Sequence, residues 1–150
     1  MRAIGIGAAL ALGLFAALGS AVSPAVAQDT AAPLEGPLVV ELNKLEEGEG
    51  ACRAFFLFRN ETGRSFEGFE MSLALLDTGG VIDQLLTVDA APLPVARTTL
   101  KLFEFPGVTC SSIAELLLHE VGACRPQNGE EMDCFGFMEL DSKTDAALVK

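Results

Sequence analysis

The sequence predicts an all-β domain, a two-sheet sandwich of about seven antiparallel strands held by two disulfides. Three observations predict it. Short apolar segments recur along the chain, divided by turn signals at intervals of about 8 to 14 residues. Several of these segments alternate apolar and polar side chains with the period of two expected of a half-buried strand. Four cysteines lie in a chain whose opening reads as an export signal, so they are expected to be oxidised.

The elements follow in chain order. "MRAIGIGAALALGLFAALGSAVSPAVAQD" has a positive start at Arg2, an apolar run over Ile4 to Leu18, and the small-residue pattern Ala25-Val26-Ala27. Residues 1–27 are therefore expected to be a cleaved signal peptide of the general secretory route, since no twin-arginine pair is present. The apolar run is shorter than the roughly 20 residues a spanning helix needs, so stable membrane insertion after cleavage is not expected. Residues 28–37, "QDTAAPLEGP", read as a flexible leader. Residues 38–140 are expected to be the sandwich and 141–150, "DSKTDAALVK", a polar C-terminal tail.

Within the sandwich, "LVVELNKL" (38–45) is the first expected strand and "EEGEG" its turn. "ACRAFFLFRN" (51–60) is the second; Ala54, Phe56 and Phe58 share one face, and Phe55 and Leu57 the other. "FEMSLALLD" (69–77) alternates more cleanly, and "TGG" closes a turn in which Gly79 and Gly80 can take positive φ. "VIDQLLTVD" (81–89) and "ARTTLKLFEF" (96–105) are the fourth and fifth strands, joined by the proline-stiffened "APLPV". "AELLLHEV" (114–121) has helix-forming composition, but it is short and follows five strands, so it is read as the sixth. "CFGFMEL" (134–140) is the seventh. Strand number and spacing suit an immunoglobulin/fibronectin-III-like sandwich, an architecture that does not by itself specify function.

The intervals between Cys52, Cys110, Cys124 and Cys134 contain 57, 13 and 9 residues. Close C-x-x-C pairs are absent, which argues against a thiolate zinc site and a thiol oxidoreductase. If successive strands run up and down, the start of the second and the end of the fifth lie at one end. The end of the sixth and the start of the seventh lie at the other. Cys52–Cys110 and Cys124–Cys134 are the pairs this order predicts.

Charge narrows the partners. Of the 10 basic residues, removal of Arg2 leaves 9 against 21 acidic ones, a net charge of −12. That opposes nucleic acid and anionic lipid. Trp and Tyr are absent, which weakens a carbohydrate-binding reading. No catalytic constellation emerges. His119 is the single histidine, Ser111 and Ser112 lack a nucleophile elbow, and the acid pairs Glu46/Glu47 and Glu130/Glu131 fall in turns. "EEGEG" and "NGEEMD" carry oxygen ligands without the loop pattern of a dedicated calcium site. Met132, Met138 and Cys134 read as packing rather than copper ligands. "NET" at 60–62 matches the N-glycosylation sequon. No cofactor, metal or catalytic residue is expected.

"RNETGRSFEGFEMSLALLDTGGVI" resembles exported bacterial immunoglobulin-like domains of the FxLYD-type group. There an N-x-T-G turn leads to a strand ending Leu-Tyr-Asp, followed by a glycine turn and Val-Ile. Leu75-Leu76-Asp77 stands at that ending, with Leu76 in place of tyrosine. With "GACRAFF", "LFEFPGVTCSSI" and "HEVGAC", the chain looks like small secreted proteins of alphaproteobacteria. The resemblance implies a periplasmic β-sandwich, makes "DTGG" a hairpin turn rather than an aspartic-protease motif, and supplies no catalytic residues.

The expected function is that of a non-enzymatic periplasmic or extracellular module that binds or assists another protein. Phe55 and Leu57 are the expected partner surface, since they face away from the core residues Phe56 and Phe58 and need a cover. The alternative is a small-ligand or divalent-metal module using the acidic loops. Oligomeric state is not legible in the sequence.

Overall fold

The computed structural model describes residues 33–150; the expected signal, 1–27, and the first part of the leader lie outside them. Eight strands follow in order: β1 Leu38–Glu47, β2 Ala51–Asn60, β3 Phe66–Leu76, β4 Ile82–Asp89, β5 Arg97–Pro106, β6 Glu115–Pro126, β7 Met138–Ser142 and β8 Ala147–Val149. Sheet A has the order β5-β2-β1-β7 and sheet B the order β4-β3-β6-β8. No helix among the described residues is long and apolar enough to cross a membrane.

Strand β2 shows why this sequence makes a sandwich. Its burial alternates without a break: Cys52, Ala54, Phe56, Phe58 and Asn60 point inward and are buried, and the residues between are half-exposed. From sheet B, β3 answers with Phe69, Met71, Leu73 and Leu75, all buried. Phe58 and Phe69 meet edge to face across the layers, with ring centroids 6.3 Å apart. Each fully buried side chain of this size contributes roughly 1.5–3 kcal/mol by leaving water. The remaining core comes from Leu38, Val40 and Leu42 of β1, Phe105 of β5, and Leu116 and Leu118 of β6.

Four expectations are corrected here. The sandwich has eight strands rather than seven, and not every pairing is antiparallel. Residues 138–142 pair parallel to β1, and 147–149 pair parallel to β6. The stretch expected as the seventh strand begins instead with a 3₁₀ turn, Phe135–Phe137, so the strand starts at Met138. Cys134 takes a right-handed helical backbone there, which breaks the extension before Gly136. The polar tail is not a tail. Ala146 and Leu148 are buried, and Ser142 Oγ donates to the Ala146 carbonyl at 2.6 Å, closing the turn between β7 and β8. A three-residue strand inside "DSKTDAALVK" is too short to show its alternation above the surrounding polar residues.

The disulfides join Cys52 to Cys110 and Cys124 to Cys134, with Cα–Cα distances of 4.9 and 6.0 Å, both within the span a disulfide bridges. β2 and β5 are antiparallel neighbours with Cys52 opposite Phe105, so the chain leaving β5 has only to turn back through a 3₁₀ turn, Cys110–Ser112.

Candidate protein-docking surface

Phe55 and Leu57 lie on the outer face of sheet A, half-buried, where the alternation of β2 puts them. The antiparallel register sets Leu102 beside Phe55 and Leu100 beside Leu57. Leu100 and Leu102 are 59% and 47% exposed, so the four side chains form a two-by-two apolar ladder open to solvent. The sequence reading found half of this surface. Leu100 and Leu102 escaped it because β5 is partly apolar on both faces, and its inward face is not distinguishable from its outward one by pattern alone.

The C-terminal strand β8 does not cover this face, because it belongs to sheet B. The described end of the leader lies along the loop after β2: Glu35 N–H donates to the Thr62 carbonyl, and Glu61 N–H to that of Pro37.

The free edge of β5 is guarded. Lys101 sits opposite Phe56 and therefore on the inward face, and its ammonium donates to the Ala91 carbonyl at 2.7 Å. An inward lysine on an edge strand obstructs the addition of another strand. Antiparallel pairing of two copies centred on this residue would set two ammonium groups side by side. The outer face, more than the edge, is what β5 offers to a partner.

Several charges around the ladder are paired, while Glu104, two residues from Leu102 on the outer face of β5, is exposed and forms no ion pair among the described residues. Arg59 pairs with the buried Glu41 at 3.1 Å, and Asn43 donates to the same carboxylate at 2.8 Å. Glu46 pairs with Lys44 and Arg53. The hydrogen bond from Lys44, joined by the charges of Lys44 and Arg53, holds the Glu46 carboxyl below its ordinary pKa. The Lys44 ammonium also lies 5.2 Å from the centre of the Phe55 ring.

The other sequence candidates have structural roles. Asp77 of "DTGG" accepts backbone N–H bonds from Gly79 at 2.8 Å and Val81 at 2.9 Å, while Gly80 takes φ 77°, a conformation that favours glycine. Gly79 is not in that conformation. The carboxylate of Asp77 thus shapes the hairpin between β3 and β4. Glu47 accepts from Cys110 N–H at 2.7 Å, and Glu131 from Cys124 N–H at 2.6 Å. Each acidic loop therefore places a carboxylate on the backbone of a bridged cysteine. The sequence reading missed this role, because both contacts join turns to distant or bulged segments. His119 is exposed at a bulge of β6, and Ser112 donates to the Thr109 carbonyl. Among the described residues no group of three or more His, Cys, Asp or Glu side chains could hold a metal ion. A depression of about 240 Å³ lined by Ser65, Phe66, Glu67, Pro92, Pro94 and Gln127 contains one carboxylate, and Arg125 pairs with it.

Asn60 of the "NET" sequon is 1% exposed. Its amide donates to the carbonyls of Arg64 at 2.7 Å and Leu93 at 3.0 Å, and its oxygen accepts from the Thr62 N–H and hydroxyl. In the folded chain this side chain has no free N–H; it ties the turn after β2 to the connection between β4 and β5. Asn60→Ala is expected to lower stability by about 2–3 kcal/mol in urea titration, since it strands several buried polar partners. A cost below about 1 kcal/mol would show that the network is dispensable.

Two four-stranded sheets packed face to face and stapled by two disulfides place the chain among immunoglobulin/fibronectin-III-like β-sandwiches. No family model matches the sequence, and no curated protein is similar to it in sequence. Among solved structures the fold is similar to that of IrmA from Escherichia coli, with a TM-score of 0.53 and 15% identity over 69% of this chain and 90% of IrmA. A likeness at that identity speaks for the fold alone.

Proposed function

We propose that the chain is an exported, non-enzymatic module that acts in the periplasm by binding or assisting another protein, and that it docks through the outer face of β2 and β5. The observation that carries this reading is the ladder Phe55/Leu102 and Leu57/Leu100, an apolar surface open to solvent and flanked by the ion pairs Glu41–Arg59 and Glu46–Arg53. Covering such a surface with an apolar partner is favourable. Two disulfides agree with an oxidising compartment. The resemblance to FxLYD-type domains points the same way. The ligand or divalent-cation reading is weaker, because Glu46, Glu47 and Glu131 of the acidic loops already serve side-chain or backbone donors.

The test uses the exported chain, disulfides intact, as bait for periplasmic proteins, beside the double variant Leu100→Lys/Leu102→Lys. Both positions are exposed, so the variant should melt within a few degrees of the parent. The parent is expected to retain a protein that the variant releases. Equal retention by the two would remove this face from the function.

A further inference from the structure

The outer face of sheet B combines apolar exposure and charge differently from sheet A. Register places Leu85, Ala74, Leu117 and Val149 in one row across β4, β3, β6 and β8. Ile82 and Leu76 extend the row on β4 and β3. Leu85 and Ile82 are 59% and 60% exposed, whereas Ala74 is buried at 3% between taller neighbours. The floor of the strip is thus low at its centre and walled by leucines.

Carboxylates surround this strip. Glu115 stands beside Leu76, and Glu120 beside Ser72. Glu70 and Asp89 lie directly opposite each other on β3 and β4. None of these four forms an ion pair among the described residues. Arg125, the arginine of β6, lies further along the strand, next to Gly68, and pairs with Glu67. Lys150, which follows Val149, gives its ammonium to the carbonyls of Phe135 and Met138.

We propose that the outer face of sheet B is a second docking surface, and that its occupant is a cationic amphipathic segment of another protein, with lysine or arginine side chains interspersed among apolar ones. Charge selects this occupant. A second copy of the chain would bring the same four carboxylates against themselves, within a net charge of −11. A purely apolar partner would bury or crowd those carboxylates without compensation. An anionic lipid surface would be repelled. A segment that lays leucine-like side chains along the strip and ammonium or guanidinium groups on its rim satisfies both features at once.

The probe is a short synthetic peptide of alternating lysine and leucine, titrated into the exported chain, with glutamate–leucine and lysine–serine peptides as controls. Backbone amide shifts are expected to change along β3, β4, β6 and β8, and the two control peptides are expected to bind weakly or not at all. The triple variant Glu70→Gln/Glu115→Gln/Glu120→Gln should weaken binding by about tenfold or more, with rising salt acting in the same direction. A matched triple variant elsewhere, Glu49→Gln/Glu130→Gln/Asp145→Gln, should change it less than about twofold. Thermal melts of both variants confirm the fold. Equal weakening by the two triples would reduce the effect to net charge and overturn the proposal. Shifts mapped to sheet A, or no binding of the lysine–leucine peptide, would overturn it equally. Leu100→Lys/Leu102→Lys should leave peptide binding intact, so failure here and failure of the sheet A reading are separable.

Discussion

Replacing Cys52 by alanine and Cys110 by serine together is expected to lower the unfolding free energy by about 4 kcal/mol. The bond closes a loop across a sequence separation of 58, and a cross-link of that span removes conformational freedom from the unfolded chain. Cys124–Cys134 closes a separation of 10, so its removal should cost roughly 3 kcal/mol on the same basis. Cys52, Cys124 and Cys134 are all buried, and β2 and β6 are both interior strands of their sheets, so loop length is what separates the two bonds. Denaturant titration of the two double variants and the parent measures both losses. If removing the short loop cost more than removing the long one, loop entropy would not be the main contribution of these bonds.

Phe58→Ala is expected to cost about 3–5 kcal/mol, the range for deleting a fully buried aromatic from a close-packed core. Phe58 touches both layers: its ring lies 6.2 Å from that of Phe56 in the same strand and 6.3 Å from that of Phe69 in the opposite sheet. Neither neighbour can close the gap without leaving its own contacts, so most of the cavity should persist. Leu57→Ala, one residue away on the outer face, should cost about 1 kcal/mol or less. Equilibrium unfolding of the two single variants gives the comparison. Similar losses would mean that the outer ladder is as much a part of the folding core as the inner face.

The core was legible where alternation was strong and turns were marked. "ACRAFFLFRN" divides cleanly into Phe56 and Phe58 against Phe55 and Leu57, and the structure buries the first pair and half-exposes the second. The cysteine pairs followed from strand order, since β2 and β5 are neighbours with their relevant ends together. "AELLLHEV" would have been misread by composition alone; its neighbours in the series identified a strand, now β6. Legibility failed where a residue's environment depends on distant chain. Nothing local in "TTLKLFEF" says that Lys101 points inward to the Ala91 carbonyl while Leu100 and Leu102 face solvent. Nothing in "NET" distinguishes a modification site from a buried amide bonded to Leu93, 33 residues away. The strip on sheet B is a property of four strands in register, and its members are scattered from Ala74 to Val149.

The parallel pairing of the last two strands bears on when the protein can fold. Leu38, at the start of β1, finds its partner Met138 only after β2 to β6 have been made, and Leu116 waits for Leu148. A nascent chain that still lacks residues 138–149 therefore has one unfinished edge in each sheet. Closing such distant ends also carries a loop-entropy cost that slows the last step. The order of the strands acts as a timer: the chain stays threadable until β7 and β8 have emerged, and only then can both sheets lock.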